Sequence, residues 1–214
     1  MARRPVTRCA TNMELDFTHL SVRDAYQWMT RTILPRPIAW VSTIAADGRT
    51  NLAPFSFFQG ITANPPILMF VPVNDRHGTK KDTVKNIEVV PEFVVNLVPH
   101  ELAEAMNATA ATLPYGESEF EKFGIASAPS QKVRPPRVAA APVAFECELY
   151  EIMHIGEGPS AANVVFGRII LAHVRDDVLA ADGKADAAKL DLIGRLGDQD
   201  YTTTRGIFSV RRPA

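Results

Sequence analysis

The stretch from Ile38 to Val73 reads IAWVSTIAADGRTNLAPFSFFQGITANPPILMFVPV, and it decides the fold class. It contains three runs rich in β-branched and aromatic residues: IAWVSTI (38–44), LAPFSFF (52–58) and ILMFVPV (67–73). The residues between these runs, Asp-Gly at 47–48 and Asn-Pro-Pro at 64–66, favour tight turns. The stretch therefore predicts three short strands in an antiparallel meander.

Further strands follow downstream, as EFVVNLV (92–98), VAFECELYEI (143–152) and NVVFGRIILAHV (163–174). Alternation in the second of them places Phe145 and Cys147 on one face and Glu146 and Glu148 on the other. Helices are predicted at 79–88 and 101–111, and they do not alternate with the strands one for one. This order favours a mainly β fold, an antiparallel Greek-key type barrel with peripheral helices, over a Rossmann sheet.

Composition excludes several classes of protein. Of 214 residues, 46% are hydrophobic and 22% are charged, which is ordinary for a folded protein with a sizeable core. The formal net charge of -1 gives no overall field for nucleic acid or an anionic membrane, so we expect neither as a partner. The two cysteines form no zinc or dithiol motif, and no stretch approaches the roughly 18 apolar residues of a membrane span. A cytoplasmic protein is expected.

The N-terminal residues 1–12 are basic and small and lack apolar periodicity. Such residues rarely pack, so they predict a flexible tail. Residues 13–214 contain no internal repeat and no low-complexity run, and they predict a single domain. Near its start, Ser21 and Asp24 are placed to cap a helix whose face carries Val22, Tyr26 and Met29.

Two familiar kinds of site are disfavoured. Residues 156–161 have the pattern G-x-G-x-x-A, but Pro159 precedes a β-rich run rather than a helix, and Glu157 would repel a phosphate. We therefore predict a hairpin loop there. The five histidines are scattered without metal-ligand spacing, so we predict no metal site. No nucleophile elbow occurs, which disfavours a hydrolase.

Lys80 and Lys81 are more informative. Thr79 and Asp82 have capping-box spacing, which predicts that a helix begins here with both lysines at its positive end. A bound anion would make that arrangement favourable. Two solvated lysines whose long stems carry the charge away are the other interpretation, and the residues alone leave both open.

The run from Asn51 to Phe58 mixes small and polar residues with three phenylalanines. This mixture suits a flat aromatic ligand, which needs close backbone approach at Ala53 and polar contacts from Asn51 and Ser56. An ordinary strand with its aromatic residues in the core is the alternative.

Several of these segments together resemble the flavin reductase-like FMN-binding split-barrel family. They are PRPIAWVST (35–43), NLAPFSFF (51–58), NPP (64–66), KDTxxNI (81–87), PPRV (135–138), NVVFGRI (163–169) and RLGDQDYT (195–202). The likeness extends from about residue 20 to the C-terminus. It implies a split β-barrel homodimer that binds FMN non-covalently near the subunit interface.

The resemblance also implies roles for individual residues. Ser42 and Thr43 would end a strand beside the flavin, whereas Lys81 and Thr83 would hold the phosphate. The ring and the ribityl chain would be lined by Asn51, Leu52, Ala53 and Ser56. Arg36 is a second candidate for the phosphate, or it orders its two flanking prolines. His173 and Tyr201 are candidates for the nicotinamide side or for the dimer contact, and plain packing accounts for them equally well.

The function that the resemblance implies is an NAD(P)H-dependent flavin reductase, with NADH or NADPH as co-substrate. Such a protein could be the reductase component of a two-component monooxygenase. The alternative is an electron-transfer protein of the flavoredoxin type that retains its FMN and delivers electrons to an acceptor protein. The sequence does not decide between them.

Overall fold

The computed structural model describes residues 12–213. Its strands in this range are β1 (Arg36–Pro37), β2 (Ala39–Ile44), β3 (Thr50–Phe55), β4 (Phe58–Ala63), β5 (Pro66–Phe70), β6 (Glu92–Asn96), β7 (Ser127–Ala128), β8 (Arg137–Val138), β9 (Val143–Ile155), β10 (Ala162–Val174), β11 (Ile193–Arg195) and β12 (Tyr201–Thr203). The α-helices are α1 (Val22–Thr32), α2 (Asp82–Val89), α3 (Ala103–Ala108), α4 (Glu119–Lys122) and α5 (Ala187–Leu190). Short 3-10 helices occur at Phe17–His19, His100–Leu102 and Asp176–Val178.

The main sheet has seven strands in the order β3-β2-β6-β9-β10-β5-β4, and all of its neighbours are antiparallel. Its two edge strands, β3 and β4, are consecutive in the chain and are joined by Ser56 and Phe57 alone. So short a link spans at most about 10 Å, so the sheet must curl until its edges approach each other. Because β3 and β4 are not hydrogen-bonded, the barrel is split along this line, which confirms the predicted fold class.

The predicted three-stranded meander is wrong. The run at 52–58 belongs to two strands, since β3 ends at Phe55 and β4 begins at Phe58. Each half joins its own hairpin, β2 with β3 and β4 with β5. The two predicted turns are therefore real, but they lie in hairpins at opposite edges of the sheet.

The core packs against both faces of the sheet. Trp40 and Leu52 belong to one cluster, which α3 and α4 cover, whereas Phe70 and Phe93 belong to another inside the barrel. Gly167 in β10 lies directly against Phe93, since a Cβ at this position would be 2.2 Å from the phenylalanine Cζ. The β9–β10 register also shifts between Phe166 and Gly167, so the strand is irregular at this glycine.

Helix α1 begins as predicted but presents its apolar face differently. Ser21 Oγ accepts from the Asp24 backbone N–H at 3.1 Å and donates to the Asp24 carboxylate at 2.7 Å. However, Val22, Tyr26 and Met29 are exposed rather than packed on the core. None of the helices within residues 12–213 has the length and apolar character needed to cross a membrane.

The outer face of β9 is covered, which the alternation did not predict. Glu146 is fully buried because residues 131–132, in the segment between β7 and β8, close over it. Its carboxylate accepts from the backbone N–H groups of Gln131 and Lys132 at 2.7 and 2.6 Å and pairs with His173 Nε2 at 2.5 Å. Of the predicted tail, only Asn12 lies in the described range, and the single domain over 13–214 stays a prediction.

Candidate functional site

The largest of the clefts described here has a volume of about 730 Å³ and lies along the edge strand β3. Its other walls are the loop before α2, the N-terminus of α2 and the segment after α3. Its lining residues are Asn51, Ala53, Pro54, Phe55, Asp75, Arg76, His77, Thr79, Lys80, Lys81, Asp82, Thr83, Lys85, Thr109, Ala110, Ala111, Thr112, Leu113 and Glu119. We call it the β3 cleft.

Two buried hydrogen bonds fix the start of α2 against this cleft. The Asn51 side-chain amide donates to Thr83 Oγ1 at 3.1 Å, and the Asn86 amide donates to Thr43 Oγ1 at 3.0 Å. Thr43 and Asn51 are themselves partners in the β2–β3 register, and all four residues are buried. Because buried polar groups are costly to leave unpaired, these bonds determine where the helix N-terminus lies.

The N-terminus of α2 is built differently from the sequence prediction. The helix begins at Asp82 with Lys81 as its N-cap, and no side chain caps it. The predicted cap, Thr79, instead donates its backbone N–H to the Asp75 carboxylate at 2.9 Å. The first N–H groups of the helix therefore lack a side-chain acceptor, and a cation stands beside them at the positive end of the helix dipole.

The two neighbouring lysines have different surroundings. Lys80 Nζ forms an ion pair with the Glu88 carboxylate, which also lies 4.0 Å from His154 Nε2. Lys81 is exposed along the cleft wall. Lys80 is therefore compensated within the chain, and the argument for an anion rests on Lys81 and the helix N-terminus.

The loop from Asn74 to Lys80 is held from two sides. The Asp75 carboxylate accepts from the backbone N–H groups of Thr79 and His77, and these bonds lower the pKa of Asp75. The Asn74 side-chain amide donates to the carbonyls of Gly78 and Gly158, each at 3.2 Å. Gly158 belongs to the turn between β9 and β10, so the prediction of a hairpin loop at 156–161 is confirmed.

The floor of the cleft is formed by the middle of β3. Ala53 is half-buried and lines the cleft, whereas Leu52 is fully buried in the core. The Leu52 backbone N–H donates to Glu119 Oε2 at 2.8 Å, which gives this edge-strand N–H an acceptor. Burial raises the pKa of Glu119, and the nearby Asp82 carboxylate raises it further. Glu119 is not predicted from the sequence, where the one signal for it is the apolar Phe120 that follows it in an acidic run.

Ser42 and Thr43 lie behind this floor rather than in the cleft. Both are fully buried, and Ser42 Oγ donates to the Pro136 carbonyl. Thr43 acts on the cleft only through Asn86 of α2. Of the nine residues named from the sequence, the structure brings together Asn51, Ala53, Lys81 and Thr83.

Arg36 and Ser56 line a second cleft of about 540 Å³, which we call the arginine cleft. It borders the β3 cleft, since Pro54, Phe55 and Ala110 line both. Tyr201 lies in this second cleft, whereas His173 pairs with the buried Glu146. The two clefts therefore adjoin at the end of β3.

Residues 29–188 match the family of the flavin reductase like domain. The chain belongs to this flavin reductase-like family. The matched range contains every residue that lines the β3 cleft. An uncharacterized protein of Aquifex aeolicus is 40% identical over 181 residues, covering 85% of this chain and 90% of its own. One of Deinococcus radiodurans is 38% identical over 210 residues, covering 94% and 90%.

Several solved structures have the same architecture. Nitrilotriacetate monooxygenase component B from Bacillus cereus is 30% identical with a TM-score of 0.89, covering 94% of this chain and 100% of its own. The 2-nitrobenzoate 2-nitroreductase of Pseudomonas fluorescens is 29% identical with a TM-score of 0.82, covering 94% and 96%. The flavoredoxin of Desulfovibrio vulgaris, at 20% identity and a TM-score of 0.68 over 83% and 90%, shows the fold alone. The family predicted from the sequence is confirmed, and the function of this chain is flavin-related.

The residues of the β3 cleft fit a flavin. One end offers a helix N-terminus without a side-chain cap beside Lys81, which suits an anionic group. Further along, the small Ala53 lets a flat ring approach the strand. The cleft volume of about 730 Å³ lies within the usual range for small-molecule sites.

Proposed function

We propose that the β3 cleft binds FMN and that the protein is an NAD(P)H-dependent flavin reductase. The observation that carries the proposal is the pairing of the helix N-terminus at Lys81 with the small residue Ala53 in one cleft. An anion site and a flat-ring site joined in this way match a phosphorylated flavin better than riboflavin or a plain phosphate.

In this proposal each residue of the chain has a distinct task. Lys81, Thr83 and the first N–H groups of α2 hold the phosphate, while Asn51 keeps Thr83 in place through its hydrogen bond. Ala53 leaves space for the ring, and Leu52 supports it from the core. Bound FMN supplies the redox chemistry, since it accepts a hydride from the reduced nicotinamide. The chain then has to orient the two rings and exclude water, and it needs no catalytic nucleophile or acid.

A second copy of this chain is the proposed partner of α1. The exposed Val22, Tyr26 and Met29 form an apolar face on that helix, and Phe17 is exposed just before it. Apolar patches of this kind mark interfaces, and a two-fold homodimer would cover both copies equally. A monooxygenase component is a further proposed partner, supported by the name of the structure at 30% identity. The proposed location is the cytoplasm.

Turnover separates this proposal from the electron-carrier alternative. Purified protein is mixed with NADH or NADPH and an excess of free FMN, and nicotinamide oxidation is followed by its absorbance. Sustained oxidation that depends on free FMN is the expected result. Retained yellow colour without turnover would contradict the reductase and support a flavoredoxin-like carrier.

A further inference from the structure

The arginine cleft begins where the β3 cleft ends. Its walls come from α1, the end of β3, α3 and the segment around Leu196, and its volume is about 540 Å³. Phe55 and Pro54 stand on the border, so a ligand here would touch the end of a molecule bound over Ala53.

Positive charge dominates this cleft. Three arginines line it, Arg23, Arg36 and Arg195, against one carboxylate, that of Asp198. Asp198 is already paired with Arg31, which lies outside the lining, at 2.5 Å. Across residues 12–213, no carboxylate lies within 4.0 Å of the three lining arginines.

Arg36 forms the floor of the cleft, and its guanidinium is hydrogen-bonded to the chain itself. Its guanidinium donates to the backbone carbonyls of Thr30, of Ile33 at 3.2 Å and of Leu196 at 2.7 Å. With a longer bond from Nε to Ser56 Oγ at 3.4 Å, these bonds occupy four of its five N–H donors without neutralising its charge. Arg36 and Arg195 line the same cleft. Burial lowers the pKa of Arg36, Tyr26 acts in the opposite direction, and the Arg195 cation lowers the pKa further.

Arg195 and Arg23 are the arginines that a ligand can reach. The Arg195 guanidinium lies 4.5 Å from the centre of the Tyr201 ring and donates to the Asp198 carbonyl. The Tyr201 hydroxyl in turn donates to Asn107 Oδ1 at 3.2 Å, which fixes the ring. Arg23 is exposed in the first turn of α1, one turn before Tyr26.

We propose that the arginine cleft binds the anionic group of the second substrate, an organic anion with a planar ring, through Arg23 and Arg195. This rests on the proposed function, because the ring would have to reach the flavin across Phe55. Two sources share this chemistry: the pyrophosphate of a nicotinamide dinucleotide and the carboxylate of an aromatic acid. Tyr201 offers a flat apolar surface to either ring.

Calorimetric titration tests the proposal with ligands that do not react. The probes are tetrahydro-NADH, a dinucleotide unable to give a hydride, then benzoate, and benzamide as the uncharged counterpart of benzoate. One of the two anionic probes is expected to bind. Arg195→Gln and Arg23→Gln should each lower the affinity for that probe about tenfold or more, since each removes a charge-assisted contact. Benzamide should bind the variants and the unaltered protein equally.

Arg168→Gln is the matched control, because it removes a surface arginine paired with Glu148 elsewhere on the sheet. If this variant lowered the affinity for the anionic probe to the same extent, the effect would be due to overall charge, and the proposal would be overturned. Unchanged anion affinity in the Arg23 and Arg195 variants would overturn it too, as would failure of both anions to bind. Arg23 is exposed, so its variant remains informative even if Arg195→Gln folds poorly.

The two sources are separated by which anion responds. If the variants lose affinity only for tetrahydro-NADH, the ligand is the dinucleotide. If they lose affinity only for benzoate, the ligand is an aromatic acid. Each titration is run with and without saturating FMN. Anion binding that persists when FMN fails to bind would contradict the flavin proposal alone. Normal FMN binding together with unchanged affinity for both anions in the Arg23 and Arg195 variants would contradict the arginine-cleft proposal alone.

Discussion

The Asn163 side-chain amide donates to the side-chain oxygen of Asn74 at 2.9 Å, and this bond joins the β9–β10 hairpin to the loop before α2. Asn163 is buried and also donates to the Pro72 carbonyl at 3.3 Å. A hairpin with no lining residue in the β3 cleft therefore helps to determine where Lys80 and Lys81 lie.

Replacing Asn163 by Ala should weaken FMN binding more than riboflavin binding. Without the bond the loop loses an anchor, so the phosphate end of the site is disturbed while the ring end is not. We expect FMN affinity to fall about tenfold, or ~1.4 kcal/mol. Asn96→Ala is the control, since it removes a buried amide bonded to the Trp40 carbonyl far from the loop. If the ratio of FMN affinity to riboflavin affinity changed equally in both variants, the effect would be due to general destabilisation of the protein.

Lys81→Ala should also weaken FMN while leaving riboflavin nearly unchanged, by about tenfold for the loss of one charged contact. Lys80→Ala is the matched control, because the Lys80 ammonium is already paired with Glu88. Fluorescence titration of both flavins against both variants gives the comparison. Equal affinities of the unaltered protein for FMN and riboflavin would remove the phosphate site altogether.

Ala53→Phe should abolish flavin binding without lowering the unfolding midpoint of the flavin-free protein. The residue lines the cleft, so the new ring would occupy the space of the ligand rather than the core. Ala39→Phe is the contrasting variant, since Ala39 is fully buried and overpacking there should cost about 1–3 kcal/mol of stability. Retained FMN affinity together with a lowered midpoint in Ala53→Phe would place residue 53 in the core.

Glu119→Gln should change how stability depends on pH. Burial raises the pKa of Glu119, so the folded chain binds this proton more readily than the unfolded chain. The free energy of unfolding therefore falls as pH rises from the ordinary value of 4.5 through the raised folded pKa. Glutamine still accepts from the Leu52 N–H but cannot ionise, so this fall should disappear in urea unfolding measured across that window. Glu117 is an exposed neighbour of Glu119, and Glu117→Gln should leave this fall in the free energy of unfolding unchanged.

Val22→Glu should convert the proposed homodimer into a monomer. The residue is 70% exposed on α1, so the change costs the single chain little, but it would place a charge inside an apolar interface. Light scattering at micromolar concentration gives the mass. A monomeric unaltered protein that still binds FMN stoichiometrically would contradict the dimer itself.

Local signals predicted what local physics determines. Ser21 caps α1 as its spacing with Asp24 indicates, and the hairpin turns fall where Gly and Pro place them. The break at Ser56 and Phe57 is not predicted because each half of the run pairs only with its neighbour in the chain, β2 or β5, and the two hairpins are held apart by the strands β6, β9 and β10 that lie between them in the sheet. The burial of Glu146 is not predicted, because alternation shows only the face of β9 on which a residue lies, and nothing in β9 indicates that residues 131–132 cover that face.

The candidate site divides in the same way. Asn51, Ala53, Lys81 and Thr83 do share a cleft, because strand β3 and the start of α2 adjoin. Arg36 and Ser56 line the neighbouring cleft, and their separation reflects the path of the chain beyond Phe55, where β3 gives way to the link to β4. Glu119 reaches the site through its bond to Leu52, 67 residues earlier in the chain, and no spacing rule reports a contact of that range.

The split between β3 and β4 has a consequence for how the chain acquires activity. The hairpins on either side of Ser56 close locally and quickly, but they are joined into one sheet only through the pairings β2–β6, β6–β9 and β10–β5, which span long stretches of chain. Pairings of this range are slow, since the entropy of closing a large loop opposes them. The link at Ser56 and Phe57 stands beside both clefts, so neither has its final walls until the last of these pairings is made. During refolding, flavin retention should therefore appear after most secondary structure, and it would report completion of the fold.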